Sequence, residues 1–133
     1  MKAILYADGA ARGNPGPAGA GAVLLDADGH VVAELTKHLG TATNNVAEYT
    51  ALIVGLEEAK RRGFDEIEVH MDSKLVVEQM NGRWKIKHPN MKPLAIRAGE
   101  LWAAFPRRSI SHVPREENLI ADALSNRAID EAK

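Results

Sequence analysis

The sequence predicts an α/β fold built on a mixed β-sheet with helices on both faces. Three strand-like segments joined by turns come first, and two further strand-like segments then alternate with helical ones. Strands joined by hairpins pair antiparallel and strands separated by helices commonly pair parallel, so the pattern indicates a mixed sheet. Because 133 residues, 45% of them hydrophobic, fit one domain with a buried core, residues 1–133 are assigned to a single domain.

Three strands are expected in the first third of the chain. An apolar run that ends in Asp8-Gly9 predicts a strand buried on both faces. The turn-rich segment 9–17 predicts a loop, and residues 26–29 predict a hairpin turn. Strands are therefore expected at 2–8, 20–25 and 31–39.

Helical periodicity dominates the rest of the chain. Apolar side chains at helical spacing predict a helix over 45–62, which stops before Gly63. Alternating apolar and polar residues over 66–71 predict a half-exposed strand that ends at Asp72. The remaining expected elements are helices at 73–80, 92–104 and 116–132 and a strand at 109–113.

Composition excludes several classes of protein. Cysteine is absent, which excludes disulfides and thiolate zinc sites and fits a cytoplasmic protein. No apolar run is long enough to span a bilayer and no signal peptide precedes the first strand, so no membrane contact is expected.

The charge of the chain is unevenly distributed. A formal net charge of −1 argues against a protein that coats nucleic acid by bulk charge. Between Glu78 and Glu100, however, no acid occurs, and contact with a polyanion is expected to be local to this segment. Its basic residues are Arg83, Lys85, Lys87, Lys92 and Arg97.

Four acids are candidates for a functional site, although each also has a structural explanation. Asp8-Gly9 can form a turn, and Glu48 can complete a capping box with Asn45. Asp72 can cap the short helix that follows it, and Asp122 can pair with a nearby arginine.

The positions of these acids favour a shared role. Asp8 and Asp72 each end a strand, and the ends of parallel strands are where open α/β sheets bind ligands. Asp122 interrupts an apolar helix, and Glu48 lies in the first turn of another. Because crowded carboxylates need cations and oxygen ligands prefer hard ions, the four predict a site for Mg²⁺ or Mn²⁺. Such a site suits metal-dependent phosphoryl transfer.

Four motifs around the acids resemble those of ribonuclease H type 1, and they occur in the order of that family over essentially the whole chain. They are Tyr6-Ala7-Asp8-Gly9-Ala10-Ala11-Arg12-Gly13-Asn14-Pro15-Gly16, Thr43-Asn44-Asn45-Val46-Ala47-Glu48-Tyr49, Asp72-Ser73-Lys74-Leu75-Val76 and the segment from Val113-Pro114-Arg115 through Asn118 to Asp122-Ala123-Leu124. The resemblance implies a ribonuclease H-like, five-stranded mixed sheet with three antiparallel strands followed by parallel ones.

The resemblance also implies an activity. The chain would hydrolyse the RNA strand of RNA–DNA hybrids with two Mg²⁺ ions, or Mn²⁺ in their place, and leave 5′-phosphate and 3′-hydroxyl ends. Asp8 would bridge both ions, Asp122 would help hold the ion that activates water, and Glu48 and Asp72 would hold the other. The residues that would bind substrate are Gly9, Arg12, Asn14, Thr43, Asn44, Asn45, Lys74, Trp84 and Lys85.

The sequence departs from many family members at two places. It lacks the long basic handle, and Trp84 can either stack on a DNA sugar or pack on the core. The loop that often carries a mobile His is short here, as in a branch of the family in which Arg replaces that His, which points to Arg115. His112 is the alternative, but it shares a strand face with Ile110 and is expected to be a strand residue.

Two other functions remain open from the sequence. One is a nucleic-acid-binding module without catalysis, which would not need all four acids. The other is a related nuclease that acts on double-stranded RNA or branched DNA. Nothing in the sequence requires more than a monomer.

Overall fold

A computed structural model describes residues 1–131 of the chain. The elements in chain order are β1 (Lys2–Ala11), β2 (Gly16–Asp26), β3 (Val31–Ala42), α1 (Asn44–Arg61), β4 (Glu66–Met71), α2 (Lys74–Met80), α3 (Lys92–Ala103), β5 (Arg107–His112), a short 3₁₀ helix (Arg115–Glu117) and α4 (Leu119–Asp130). No helix within the described range is both long and apolar enough to cross a membrane.

The described strands form one sheet in the order β3-β2-β1-β4-β5. The hairpin-linked strands β1, β2 and β3 pair antiparallel, whereas β4 and β5 run parallel to β1. This arrangement confirms the predicted mixed sheet. The pairing of β1 with β4 ends at Ala7 opposite Met71, so the next residues, Asp8 and Asp72, emerge side by side.

Helices cover both faces of the sheet, as predicted. Leu5 of β1 and Leu24 of β2 are fully buried beneath α1, whose Gly55 contacts Leu5, and α3 packs against α1. The opposite face is covered by α4, which lies on β2 and contacts β1 and β3. Each fully buried leucine stabilises the fold by about 1.5–3 kcal/mol. The core therefore fixes the sheet edge from which Asp8 and Asp72 project.

Some predicted boundaries are wrong. The expected loop 9–17 shrinks to residues 12–15, because the β1–β2 ladder continues to Ala11 opposite Ala18. The predicted helix 116–132 begins with a separate 3₁₀ helix and resumes at Leu119, because Asn118 has a non-helical backbone. The expected end of that helix, Ala132, lies outside the described residues.

Candidate active site

The four predicted acids lie in one open cleft at the sheet edge where β1 and β4 diverge. The cleft has a volume of about 340 Å³. Its lining consists of Asp8, Gly9, Ala10, Ala11, Arg12, Asn44, Glu48, Asp72, Arg115, Asp122 and Asn126. Residues from four parts of the chain therefore share a single polar pocket.

Two glycines bring the helices that carry Glu48 and Asp122 close to β1. A Cβ at Gly9 would lie 2.3 Å from the backbone nitrogen of Glu48, so α1 approaches β1 over a position without a side chain. Gly21 is the register neighbour of Asp8 on β2, and a Cβ there would lie 2.6 Å from the backbone oxygen of Ala121. The first turn of α4 thus lies directly on the sheet beside Asp8.

The helix caps leave the acids free for the cleft. Thr43, rather than Asn45, caps α1, and its hydroxyl accepts a hydrogen bond from the backbone nitrogen of Val46. The capping-box interpretation of Glu48 is therefore wrong, and the Glu48 carboxyl instead interacts with Ser73, which favours its ionised form. Ser73 also caps α2, so Asp72 is not consumed as a cap.

Acidic side chains outnumber basic ones among the residues that line the cleft. Asp8 is 5% exposed and shares a hydrogen bond with Asp122. Burial, followed by repulsion from Asp72, raises the pKa of Asp8 to about 9. Burial also raises the pKa of Glu48 to about 7. In the metal-free protein, burial and repulsion between the acids therefore favour the protonated form of both carboxyls.

The donor set fits a hard divalent cation. Four carboxylates face one cleft, and the described residues that line it include neither cysteine nor histidine. Oxygen-only donors favour Mg²⁺ or Mn²⁺ over zinc. Cations bound in the cleft would offset the repulsion that helps to raise the Asp8 pKa. The four carboxylates therefore fit the binding of Mg²⁺ or Mn²⁺, the ions that the sequence predicts.

Arg115 and His112 differ in their relation to the cleft. Arg115 lines it, with one guanidinium nitrogen 3.7 Å from a carboxylate oxygen of Asp122. His112 is an exposed residue of β5, in agreement with the expected strand position, and does not line the cleft. The geometry is therefore compatible with a role for Arg115 at the carboxylates.

The substrate candidates nearest the acids are Gly9, Arg12 and Asn44, all of which line the cleft. Arg12 donates a 2.6 Å hydrogen bond to Asp130. Asn44 accepts a hydrogen bond from the backbone nitrogen of Ala11 with its side-chain oxygen. The Asn44 contact holds the start of α1 against the end of β1, and the Arg12 contact joins the turn after β1 to the end of α4.

Asn14, Thr43 and Asn45 line a neighbouring pocket of about 220 Å³. The side-chain oxygen of Asn14 accepts a hydrogen bond from the backbone nitrogen of Asn44, which ties the turn after β1 to the start of α1. Asn44 lies in the carboxylate cleft and Asn45 in this pocket, so the two sites adjoin through consecutive residues.

Trp84 and Lys85 line a third and larger groove of about 580 Å³, together with Lys87, His88 and Asn45. Trp84 is 44% exposed, and the Lys74 ammonium lies 6.0 Å from its ring centre. Of the two interpretations left open by the sequence, core packing does not describe this side chain. An exposed aromatic ring among lysines is typical of surfaces that contact a nucleic-acid strand.

Sequence reasoning missed three polar residues near the acids: Ser73, Asn118 and Asn126. Ser73 contacts Glu48, the Asn118 amide donates to Asp72, and the Asn126 amide donates to Asp122 at 3.4 Å. The positions of Asn118 and Asn126 four residues before and after Asp122 were the available signal, because residues at that spacing share a helix face.

A separate group of possible metal ligands lies in the β2–β3 hairpin: Asp26, Asp28 and His30. Asp26 pairs with Ala3, near the opposite end of β1 from Asp8. One Asp26 oxygen accepts hydrogen bonds from the backbone nitrogens of Asp28 and His30. The turn itself accounts for this cluster, which is distinct from the carboxylate cleft.

Comparisons with known proteins find relatives that match nearly the whole chain. A family profile described as "Reverse transcriptase-like" matches residues 6–128. "Bifunctional protein Rv2228c" of Mycobacterium tuberculosis is 53% identical over 99% of this chain, which spans 36% of that protein. "Ribonuclease HI" of Halobacterium salinarum is 52% identical over 96% of this chain, which spans 64% of it. "Ribonuclease H" of Legionella pneumophila (strain Corby) is 36% identical over 98% of this chain and 99% of its own length.

Solved structures give the same picture. The crystal structure of RNase H1 from Halobacterium salinarum superposes with a TM-score of 0.95 at 50% identity and covers 98% of this chain and 99% of its own. LC11-RNase H1, solved in complex with an RNA/DNA hybrid, superposes with a TM-score of 0.92 at 44% identity and covers 98% of both chains.

Proposed function

Because this chain belongs to the ribonuclease H type 1 family, we propose that it is an endonuclease that hydrolyses the RNA strand of RNA–DNA hybrids. The observation that carries the proposal is the convergence of Asp8, Glu48, Asp72 and Asp122 on one cleft. The likeness to a relative solved with an RNA/DNA hybrid supports the choice of substrate.

Two Mg²⁺ ions, or Mn²⁺ ions, are the proposed cofactors, with Asp8 contributing to both sites. Asp8 is suited to that role because it is the most buried of the four acids and interacts with the other three. Asp122 is assigned to one ion, and Glu48 and Asp72 to the other. Bound divalent ions supply a lowered pKa for an attacking water and positive charge for the phosphodiester and its leaving oxygen. Hydrolysis would leave 5′-phosphate and 3′-hydroxyl ends.

The residues around the cleft are proposed to bind and orient the hybrid. Asn14, Asn44 and Asn45 offer amide groups next to the carboxylates, where they can contact ribose hydroxyls and so distinguish RNA from DNA. Trp84 and Lys85, with Lys74 beside them, face a groove suited to the DNA strand. Thr43, Gly9 and Arg12 complete the expected contact surface. Arg115 is assigned to turnover because it lies beside Asp122.

A cleavage assay tests this proposal. End-labelled RNA–DNA hybrid, RNA duplex and DNA duplex are incubated with the protein and Mg²⁺ or Mn²⁺. We expect cleavage of the RNA strand of the hybrid, with 5′-phosphate ends. Asp8→Asn should lower the rate by roughly 10³-fold or more while hybrid binding is retained, because only the metal-binding charge is removed.

The matched control is Asp28→Asn, which removes an exposed aspartate from the β2–β3 turn and should leave the rate unchanged. Metal-dependent cleavage that survives in Asp8→Asn would refute the assignment of Asp8. Equal cleavage of RNA duplex and hybrid would instead favour the double-stranded RNA nuclease, and binding without cleavage would favour the non-catalytic module.

A further inference from the structure

Asn118 is a buried polar residue at the start of α4 to which none of the proposed catalytic roles applies. Its side chain is 1% exposed, and it lies four residues before Asp122. Its backbone oxygen accepts a hydrogen bond from the backbone nitrogen of Asp122 at 3.0 Å. Asn118 therefore accepts the backbone hydrogen bond that begins the helical turn of Asp122.

Both hydrogens of the Asn118 amide nitrogen are committed. The nitrogen donates to the backbone oxygen of Ala7 at 3.0 Å and to a carboxylate oxygen of Asp72 at 3.1 Å. Since both contacts are acceptors, only the nitrogen of the amide can face them, and this fixes the orientation of the side chain. One residue thus joins the strand position before Asp8, the Asp72 carboxylate and the turn of Asp122.

The orientation of the Asn118 side chain leaves two other favourable interactions unmade. Asparagine is a favoured helix cap, yet within the described chain the Asn118 side chain makes no capping hydrogen bond to α4. Its amide oxygen is buried and accepts no hydrogen bond from any group among residues 1–131. A missing cap and a buried oxygen without a hydrogen-bond partner both lower the stability of the fold. The side chain is therefore oriented toward Asp72 and Ala7 rather than toward its own helix.

We propose that Asn118 is a positioning residue that holds the Asp72 carboxylate, relative to Asp8 and Asp122, in the orientation that binds divalent cations. The inference rests on the proposed function, because it assumes that Asp72 is a metal ligand. Residues that hydrogen-bond to ligating carboxylates fix their orientation, and their loss commonly weakens metal binding 10- to 100-fold.

The test uses Asn118→Ala and Asn118→Ser. Alanine removes the amide, and serine is too short to reach both acceptors but remains a favoured cap that supports α4 if the alanine variant folds poorly. The matched control is Asn81→Ala, which removes another asparagine amide that donates to a strand carbonyl, that of Ile110, without contacting an acid.

Two measurements are made on each variant. The first is the rise in melting temperature with Mn²⁺ in the absence of nucleic acid, which reports cation binding without catalysis. The second is the Mg²⁺ concentration that gives half-maximal hybrid cleavage, together with the KM for hybrid at saturating Mg²⁺. Both Asn118 variants should need at least about tenfold more cation in each measurement, with KM changed by less than about twofold. Asn81→Ala should be less stable, with the cation requirement of the wild type.

Asn118 variants that melt earlier but retain the wild-type cation requirement would overturn the inference and leave Asn118 a structural residue. That result is distinct from failure of the proposed function, in which the wild-type protein itself would show neither Mn²⁺ stabilisation nor hybrid cleavage.

Discussion

At the scale of single residues, Asp8 dominates the electrostatics of the cleft. It is buried, it shares a hydrogen bond with Asp122, and Asp72 and Glu48 add their repulsion. Burial and these charges raise its pKa to about 9. The ionised form of Asp8 is therefore unfavourable for the stability of the metal-free protein.

The pH dependence of stability follows from this shift. Between the ordinary aspartate pKa and about 9, native Asp8 holds a proton that the unfolded chain has released, so the metal-free protein loses stability as pH rises. Asp8→Asn removes this loss. In EDTA we expect the variant to exceed the wild type by at least ~1 kcal/mol in free energy of unfolding at pH 8, and by less at pH 5. Urea denaturation at the two pH values measures the difference.

Asp28→Asn again provides the comparison, because its carboxylate is exposed in the β2–β3 turn. It should change the free energy of unfolding little at either pH. If Asp8→Asn were no more stable than the wild type at pH 8, burial and repulsion would not raise the Asp8 pKa as described.

At the scale of elements, the close approach of α1 and α4 to the sheet determines whether the acids meet. Gly9 admits the backbone of α1, and Gly21 admits the backbone of α4. The sequence predicted these helices but not their distance from the sheet, since a glycine inside a strand does not specify which element lies above it. The sequence likewise gives no sign of the break before α4. Helical spacing places Asn118 inside a helix, whereas its side chain forms hydrogen bonds with Ala7 and Asp72, which lie far away in the chain.

Gly21→Ala tests this role of close packing. A Cβ at position 21 would lie 2.4 Å from the backbone nitrogen of Ser125, so α4 must move away from β2. We expect a loss of about 1–3 kcal/mol in stability and a further loss of cleavage rate at temperatures where the variant remains folded. Chemical denaturation and hybrid cleavage measure the two effects.

Gly99→Ala is the corresponding control within α3. A Cβ at position 99 meets no atom within 4 Å, and alanine is preferred to glycine inside a helix. It should gain about 0.5–1 kcal/mol and retain activity. A Gly21→Ala protein with wild-type stability and rate would contradict the packing described for α4.

At the scale of the whole molecule, the sequence predicted the mixed sheet, the helices on both faces and the acids that share a cleft. Alternation and helical periodicity specify elements, and the parallel pairing of β1 with β4 brings Asp8 and Asp72 together. The supporting contacts escaped prediction because they join residues far apart in the chain, as Asn118 does with Asp72 and Ser73 with Glu48. The exposure of Trp84 was likewise decided by tertiary packing.

The central claim is that these four acids form a site for divalent cations, and anomalous diffraction from crystals soaked in Mn²⁺ tests it most directly. We expect anomalous peaks in the cleft, within coordination distance of the Asp8 carboxylate and of at least one other of the four acids. Peaks only elsewhere, or none at Mn²⁺ concentrations that support cleavage, would contradict the account.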